Sequence, residues 1–354
     1  MEIITNEARI NEYVTLAEYY PPEDVVIFDI ETTGFSAEHT MLYMIGCCHY
    51  TAGKWWITQW FNNDGTSEQE VLLCFLDFIR NYKLLLSYNG DGFDLPYLSK
   101  KITAYELESP FDRLESVDLY RLIRPLKKHL PLEDLKQKNL ERFLDLNRLD
   151  KYSGGDLIKV YKKYTERADA KDRQLLIQHN YEDLEGLLYC FSLLAYMRLK
   201  AGCFTVKQMS LKDGRLLFHL ALDYALPKRI TLTVEEIMIS AYREEATIQV
   251  PVFHGELKFF FEDYREYYYL PMEDMAVHKS VSSFVNSDYR ERATRDNCYV
   301  KKTGYFINQL DAELADGYKK TSKDKSSYIL LVDSFLQNPD LLNAYARYVV
   351  QKAF

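Results

Sequence analysis

Basic residues are in short supply. Lysine and arginine number 44 against 53 aspartates and glutamates, a formal net charge of −9 over 354 residues. Binding that coats duplex DNA grows with the number of phosphates neutralised, so the deficit argues against a broad basic surface, though not against a grip on one strand end. Long apolar runs are also missing. Nothing approaches the ~18 to 20 consecutive apolar residues that cross a bilayer, and the longest run, residues 187–197, is broken by Ser192 and by aromatics; no membrane partner is expected. Cysteine is sparse and unpatterned: Cys47, Cys48, Cys74, Cys190, Cys203 and Cys298 sit in apolar settings without C-x-x-C spacing. Neither a disulfide framework nor a zinc cage is signalled, and all six read as reduced core residues. The start of the chain, Met1-Glu2-Ile3-Ile4-Thr5-Asn6-Glu7, lacks a basic region and an apolar signal core, which makes the cytoplasm the expected compartment.

What is present suits a packed protein. Apolar residues make up 47% and charged residues 27%, a balance that excludes a wholly disordered or fibrous chain. At about 150 residues per domain the length predicts two domains. Tyrosine is abundant, 29 in all; such rings pack cores and interfaces, and they also stack unpaired bases.

The pattern along the chain predicts an α/β first domain over 1–202 and a β-rich α+β second domain with C-terminal helices over 203–354. Residues 25–31, 41–50 and 54–61 read as a three-strand meander, and Ser67 with Glu70 as a capping box opening a helix. A short strand at 84–88, a turn at Asn89-Gly90 and a helix over 95–106 follow, then helices over 119–129, 132–146 and from Asp156, and one long helix over 171–200. Beyond that, strands are expected at 215–226, 246–252, 256–261 and 265–270, a hairpin turning at Thr303-Gly304, and helices over 326–336 and 341–352.

Three acidic constellations stand out. Asp29 and Glu31 are two apart on an apolar strand, so both leave one face of the sheet. Paired carboxylates in a poorly solvated place raise each other's pKa unless a cation neutralises them, and hard divalent ions favour oxygen donors. Alone, the pair reads equally as a solvated strand end or a cap for Thr32 to Gly34. Asp94 stands in the first turn of the helix after Asn89-Gly90, where open α/β sheets place ligands and where a helix dipole also favours an acid. His179 and Asp183 lie four apart on the long helix, hence on one face, a spacing equally suited to a surface hydrogen bond. Tyr181 points elsewhere.

In order, these are Phe28-Asp29-Ile30-Glu31-Thr32-Thr33-Gly34, Ser87-Tyr88-Asn89-Gly90-Asp91-Gly92-Phe93-Asp94-Leu95-Pro96 and His179-Asn180-Tyr181-Glu182-Asp183-Leu184. With them the chain resembles, over roughly residues 20–200, the DEDD-type 3′ to 5′ exonucleases of the ribonuclease H-like superfamily, and among these a bacterial subgroup of ribonuclease H-like domain proteins predicted to be exonucleases. The resemblance implies a mixed sheet flanked by helices, with Asp29, Glu31, Asp94 and Asp183 holding two Mg²⁺ or Mn²⁺ ions. Such a pair, ~4 Å apart, activates water and stabilises the departing 3′ oxygen of an in-line displacement. The family positions its water with a tyrosine four residues before the last Asp or a histidine five before it. This chain has His179 four before Asp183 and Gln178 five before. His179 is the candidate general base near neutral pH, and which branch's chemistry applies stays open.

The implied substrate is a 3′ end of single-stranded DNA or RNA. Thr32, Asn89 and Phe93, within the motifs, are candidate strand contacts. So are Lys127 and Lys128, inside a stretch over 119–142 with seven Lys/Arg against three acids, which reads alternatively as a solvated helix face. Asp118 reads as a helix cap, and Asp91 is not assigned to metal. Residues 267–280, with Arg290, Arg292 and Arg295 beyond, could guide a single strand, although alternating tyrosines more often pack a β core. Besides the nuclease, two alternatives are drawn: a catalytically inactive nucleic-acid-binding module or scaffold of the same fold, and, ranked last, a metal-free glycosidase using Asp29 and Glu31, which leaves Asp94, His179 and Asp183 idle.

Overall fold

The structure is a computed structural model that describes residues 1–9, 16 and 19–354. It divides into two compact units, Met1–Leu194 and Ala195–Phe354.

The first unit is built on six strands, β1 (Glu2–Glu7), β2 (Val25–Thr32), β3 (Leu42–Thr51), β4 (Lys54–Phe61), β5 (Leu84–Ser87) and β6 (Glu115–Asp118), in the order β1-β4-β3-β2-β5-β6. Neighbours among the first four pair antiparallel: a nine-residue loop joins β2 to β3, a two-residue turn joins β3 to β4, and β1 lies along β4. Strands β5 and β6 run parallel to β2 after the crossovers through α1 (Glu68–Ile79) and α2 (Asp94–Ala104). Alternation along β2 puts Val26, Phe28 and Ile30 into an apolar layer with Val71, Phe75 and Ile79 of α1 and Leu98 of α2. On the other face, Tyr43 and Phe61 pack with Tyr161 and Tyr164 of α5 (Gly154–Arg167) and Leu176 of α6 (Ala170–Cys190). The short α3 (Leu119–Ile123) and α4 (Gln137–Phe143) come between β6 and α5, and α7 (Leu194–Ala201) follows α6.

The second unit is antiparallel. Strands β7 (Phe204–Lys212), β8 (Arg215–Val234) and β9 (Ile237–Phe260) form a meander, and the last part of β9 also pairs with β13 (Tyr299–Asn308) and β14 (Tyr318–Lys319), which β15 (Tyr328–Leu330) joins. A small sheet has the order β11-β10-β12, from β10 (Tyr267–Leu270), β11 (Met275–His278) and β12 (Glu291–Arg292). Helix α8 (Lys279–Ser282) follows β11, and α9 (Asp333–Leu336) precedes α10 (Pro339–Ala353), whose Tyr345 stacks on Phe218 of β8 with ring centroids 5.3 Å apart. The fold class is therefore α/β with a mixed sheet flanked by helices, followed by a β-rich unit, as expected from the sequence.

Several local expectations need correction. The Ser67/Glu70 capping box does not form: the Ser67 hydroxyl donates to Asp64, and its oxygen accepts from the Met1 ammonium at 3.0 Å rather than from the helix N–H groups. A capping box does form at Ser153 and Asp156. The helix expected over 132–146 is confined to α4, and the one over 171–200 is interrupted by a 3₁₀ turn at Phe191–Leu193. Thr303-Gly304 is not a turn. Both residues are inside β13, opposite Glu256 and Gly255 of β9. The helix expected over 326–336 contains β15 and only a four-residue helix. Cys203 is exposed rather than a core residue, and all six cysteines are free.

Candidate active site

Strand β2 outruns its neighbour, and that sets up the site. β5 pairs with β2 only from Val25 to Ile27, so the Ile30 N–H has no ladder partner on that side. Asp94, the first residue of α2, accepts it at 3.3 Å and is 6% exposed. A buried acid is thereby pinned between Asp29 and Glu31, which leave the opposite face of the strand from Phe28 and Ile30.

Helix α6 lies over that face. Asn180 Nδ2 donates to Asp29 Oδ2 at 2.9 Å, while Gln59 Nε2 donates to Asn180 Oδ1 at 3.0 Å and to the Ile177 carbonyl at 2.9 Å. The close approach requires glycine at position 46, opposite Asp29 on β3: a Cβ there would stand 2.1 Å from Asn180 Oδ1 and 2.5 Å from Leu184 Cδ1. The same helix brings His179 and Asp183 to Glu31. His179 Nε2 is 3.1 Å from Asp183 Oδ2 and 3.7 Å from Glu31 Oε1, and Tyr43 OH donates to Glu31 Oε2 at 3.1 Å. Glu31, His179 and Asp183 each offer a ligand atom within 4.8 Å of the others. Tyr181 turns away to the Glu7 carbonyl.

Residues 148–150 add groups that sequence reasoning missed. Asp150 Oδ2 lies 2.6 Å from His179 Nδ1, so both ring nitrogens face carboxylates. Arg148 contacts both Asp183 and Glu141, with side-chain exposures of 8% for Arg148 and 1% for Glu141. The Leu149 and Asp150 N–H groups donate to Glu182, at 3.1 and 2.9 Å.

The electrostatics follow from burial and like charge. Burial, with Asp183, Glu31 and Asp94 nearby, pushes the Asp29 carboxyl well up, and burial lifts Glu31 and Asp94 to about 7. Asp183 goes the other way: burial would raise it, but His179 and Arg148 outweigh that and hold it below the carboxylate range. For His179 burial is outweighed by Asp183 and Glu31, which raise it to about 10. At neutral pH the ring therefore holds its proton, and it has to release that proton before it can act as a base. Among the described residues no lysine or arginine pairs with Asp29 or Asp94. Asp29, Glu31 and Asp94 carry negative charge that no described lysine or arginine balances, and together with Asp183, which already has His179 and Arg148, they offer the oxygen donors a hard divalent cation takes.

This sets the pH response of the metal-free protein. Glu31 and Asp94, raised from 4.5 and 3.8 to about 7, cost nothing below their unfolded values and destabilise the fold increasingly as pH rises towards 7. His179, raised from 6.5 to about 10, stabilises fully below 6.5 and loses that contribution as pH rises through 10. Asp183 stabilises at every pH above its ordinary value. Thermal melts in chelator are expected to show a lower Tm at pH 8 than at pH 5.5, with Mn²⁺ narrowing the gap. A flat or rising profile in chelator contradicts this account of the site.

Of the expected strand contacts, Asn89 is a left-handed residue (φ 60°) whose N–H donates to Asp118 Oδ1 at 2.8 Å. Asp118 also caps α3. The Thr32 hydroxyl donates to the Gly34 carbonyl at 2.8 Å. Phe93 meets the 91% exposed Phe35 edge to face, centroids 5.9 Å apart, so the two rings form one aromatic pair. Lys127 and Lys128 are exposed on a 3₁₀ turn. The basic stretch around them is thinner than its composition suggests, because Arg121 pairs with Asp91 and Lys138 with Asp150.

Residues 26–194 match the family model described as RNase_H superfamily. DNA polymerase 1 of Sulfurisphaera ohwakuensis is 28% identical over 25% of this chain and 14% of the polymerase. The structure of the family B DNA polymerase from the hyperthermophilic archaeon Pyrobaculum calidifontis aligns with 67% of this chain and 34% of its own, at 15% identity and a TM-score of 0.39. The chain thus spans well under two thirds of the length of either polymerase. No helix among the described residues is long and apolar enough to cross a membrane. The match over residues 26–194 and the mixed sheet flanked by helices make the first unit a ribonuclease H-like domain.

Proposed function

We propose that the protein is a metal-dependent 3′ to 5′ exonuclease of the DEDD type that hydrolyses the ends of single-stranded DNA or RNA, with its chemistry in the first domain (1–202) and the second (203–354) as an accessory. One observation carries this: Asp29 and Glu31, Asp94 and Asp183, from three segments remote along the chain, lie close enough around the end of β2 to raise the Asp29 carboxyl, with more negative charge than their neighbours balance. In this reading they hold two Mg²⁺ or Mn²⁺ ions, which supply an activated water and charge stabilisation at the leaving 3′ oxygen. Asn180 orients Asp29, and Asp94 is held by the strand it sits against. His179, kept in place by Asp150, is the group that takes up or releases the proton of the attacking water. Phe93 with Phe35, together with Thr32 and Asn89, face the terminal nucleotide, and Lys127 and Lys128 the phosphates behind it. The compartment proposed is the cytoplasm.

A 5′-labelled oligonucleotide tests this. It is expected to shorten from its 3′ end in Mg²⁺ or Mn²⁺ and to stay intact in chelator. Cleavage in chelator, or none in any divalent metal, rejects the proposal.

A second reading has its own observation. Arg148 and His179 already bring two positive charges to Asp183, an arrangement that suits a catalytically inactive nucleic-acid-binding module. Oligonucleotide binding without turnover in every metal is its signature.

A further inference from the structure

We infer that the second unit carries a binding site of its own for single-stranded nucleic acid, in the cavity beside β10. This goes beyond the carboxylate chemistry and does not depend on it. The cavity has a volume of about 370 Å³ and is lined by Tyr264, Arg265, Tyr267, Tyr268, Lys279 and Arg292, large enough for a nucleotide. Its rings are held by neighbours. Tyr267 stacks on Phe261 with centroids 4.4 Å apart and planes 14° from parallel. Arg290 lies over Tyr268 at 4.9 Å, and Arg265 and Arg295 each lie 5.9 Å from the Tyr264 ring.

The cations have few competing partners. Asp274 is taken by Lys301, Tyr269 and Tyr299, Asp263 by the Arg265 N–H and Asp296 by the Ser322 hydroxyl. Glu266 does pair with Lys279, at 3.2 Å. Arg265 and Arg292 are exposed and make no ion pair among the described residues. A small anion has no use for three tyrosines, and an apolar ligand has none for three cations. A strand that alternates phosphate with an aromatic base answers both, with stacking on the rings and the guanidinium groups on the backbone.

The test uses the full chain in chelator, so that no turnover intervenes, with fluorescein-labelled twelve-residue oligo(dT) and oligo(U) read by anisotropy. The Arg265→Ala/Arg292→Ala variant is expected to bind at least about tenfold more weakly, with the log K against log[salt] slope shallower by about 1.4, the value for two lost single-strand phosphate contacts. Tyr268→Ala weakens binding by about 5- to 150-fold, and Tyr268→Phe does not. In the wild type, photocrosslinks from 5-iodouracil oligonucleotides map to Tyr264, Tyr267 or Tyr268. The loss of affinity and the change in slope on the double substitution are expected equally in an Asp29→Asn background, which separates this site from the nuclease reading. The inference is overturned if affinity and slope survive the double substitution, if no crosslink falls on the cavity residues, or if a phosphotyrosine peptide competes as well as the oligonucleotide.

Discussion

Asp29→Asn is expected to cut divalent-dependent turnover by at least about a thousandfold while leaving the fold intact. A bound ion supplies several kcal/mol of transition-state stabilisation, and about 4 kcal/mol corresponds to that factor. The amide keeps an oxygen for Asn180 Nδ2, so the contact to α6 survives. It also removes a buried charge that Asp183, Glu31 and Asp94 all disfavour, so the variant's Tm in chelator at pH 8 should equal or exceed that of the wild type. Asp94→Asn should behave alike, since its oxygen still accepts the Ile30 N–H. Activity lost without stability lost identifies a residue kept for chemistry. Turnover within tenfold of wild type in both variants defeats the nuclease proposal. Asp183→Asn differs, because it strips the carboxylate from His179 and Arg148 and should lower Tm as well as activity.

Legibility from sequence followed the range of the forces involved. The strand and helix periods of the first unit and the positions of Asp29, Glu31, Asp94, His179 and Asp183 were visible because burial writes a local pattern and the three acidic motifs are short. Arg148 and Asp150 were invisible. Their partners Asp183 and His179 lie 35 and 29 residues away, and nothing in a loop's local sequence records such a pairing. Asn180 and Gln59 were missed for the same reason: their link is made across 121 residues by a sheet and a helix closing on each other. In the second unit, β8 and β9 run to 20 and 24 residues, and their mixed burial read as separate pieces. Thr303-Gly304 has good turn chemistry, yet the pairing of β13 with β9 decides its conformation.

Arg148→Met is expected to destabilise the metal-free protein by about 3–5 kcal/mol, the usual cost of stranding a buried charge. Glu141 is the stranded group. Burial raises its pKa and Arg148 is the chief opposing influence. The packing leaves no slack, since a Cβ at Gly186 would stand 2.0 Å from Glu141 Oε1. The Glu141→Gln/Arg148→Met pair should therefore recover much of the loss, as the remaining amide still has Gln137 beside it, 2.9 Å from the present carboxylate. Denaturant unfolding at pH 8 in chelator measures both, and a single-variant loss under about 1 kcal/mol, the range of a surface ion pair, contradicts the assignment. The double variant also separates the two readings of the site. With Arg148 gone, Asp183 faces only His179, and an added divalent ion meets one positive charge fewer. A wild type whose Tm rises with Mn²⁺ has a centre that takes metal despite Arg148, as the nuclease requires. A Tm that responds to Mn²⁺ only in the double variant marks Arg148 as the cation that stands in for the metal, and the protein as the binding module.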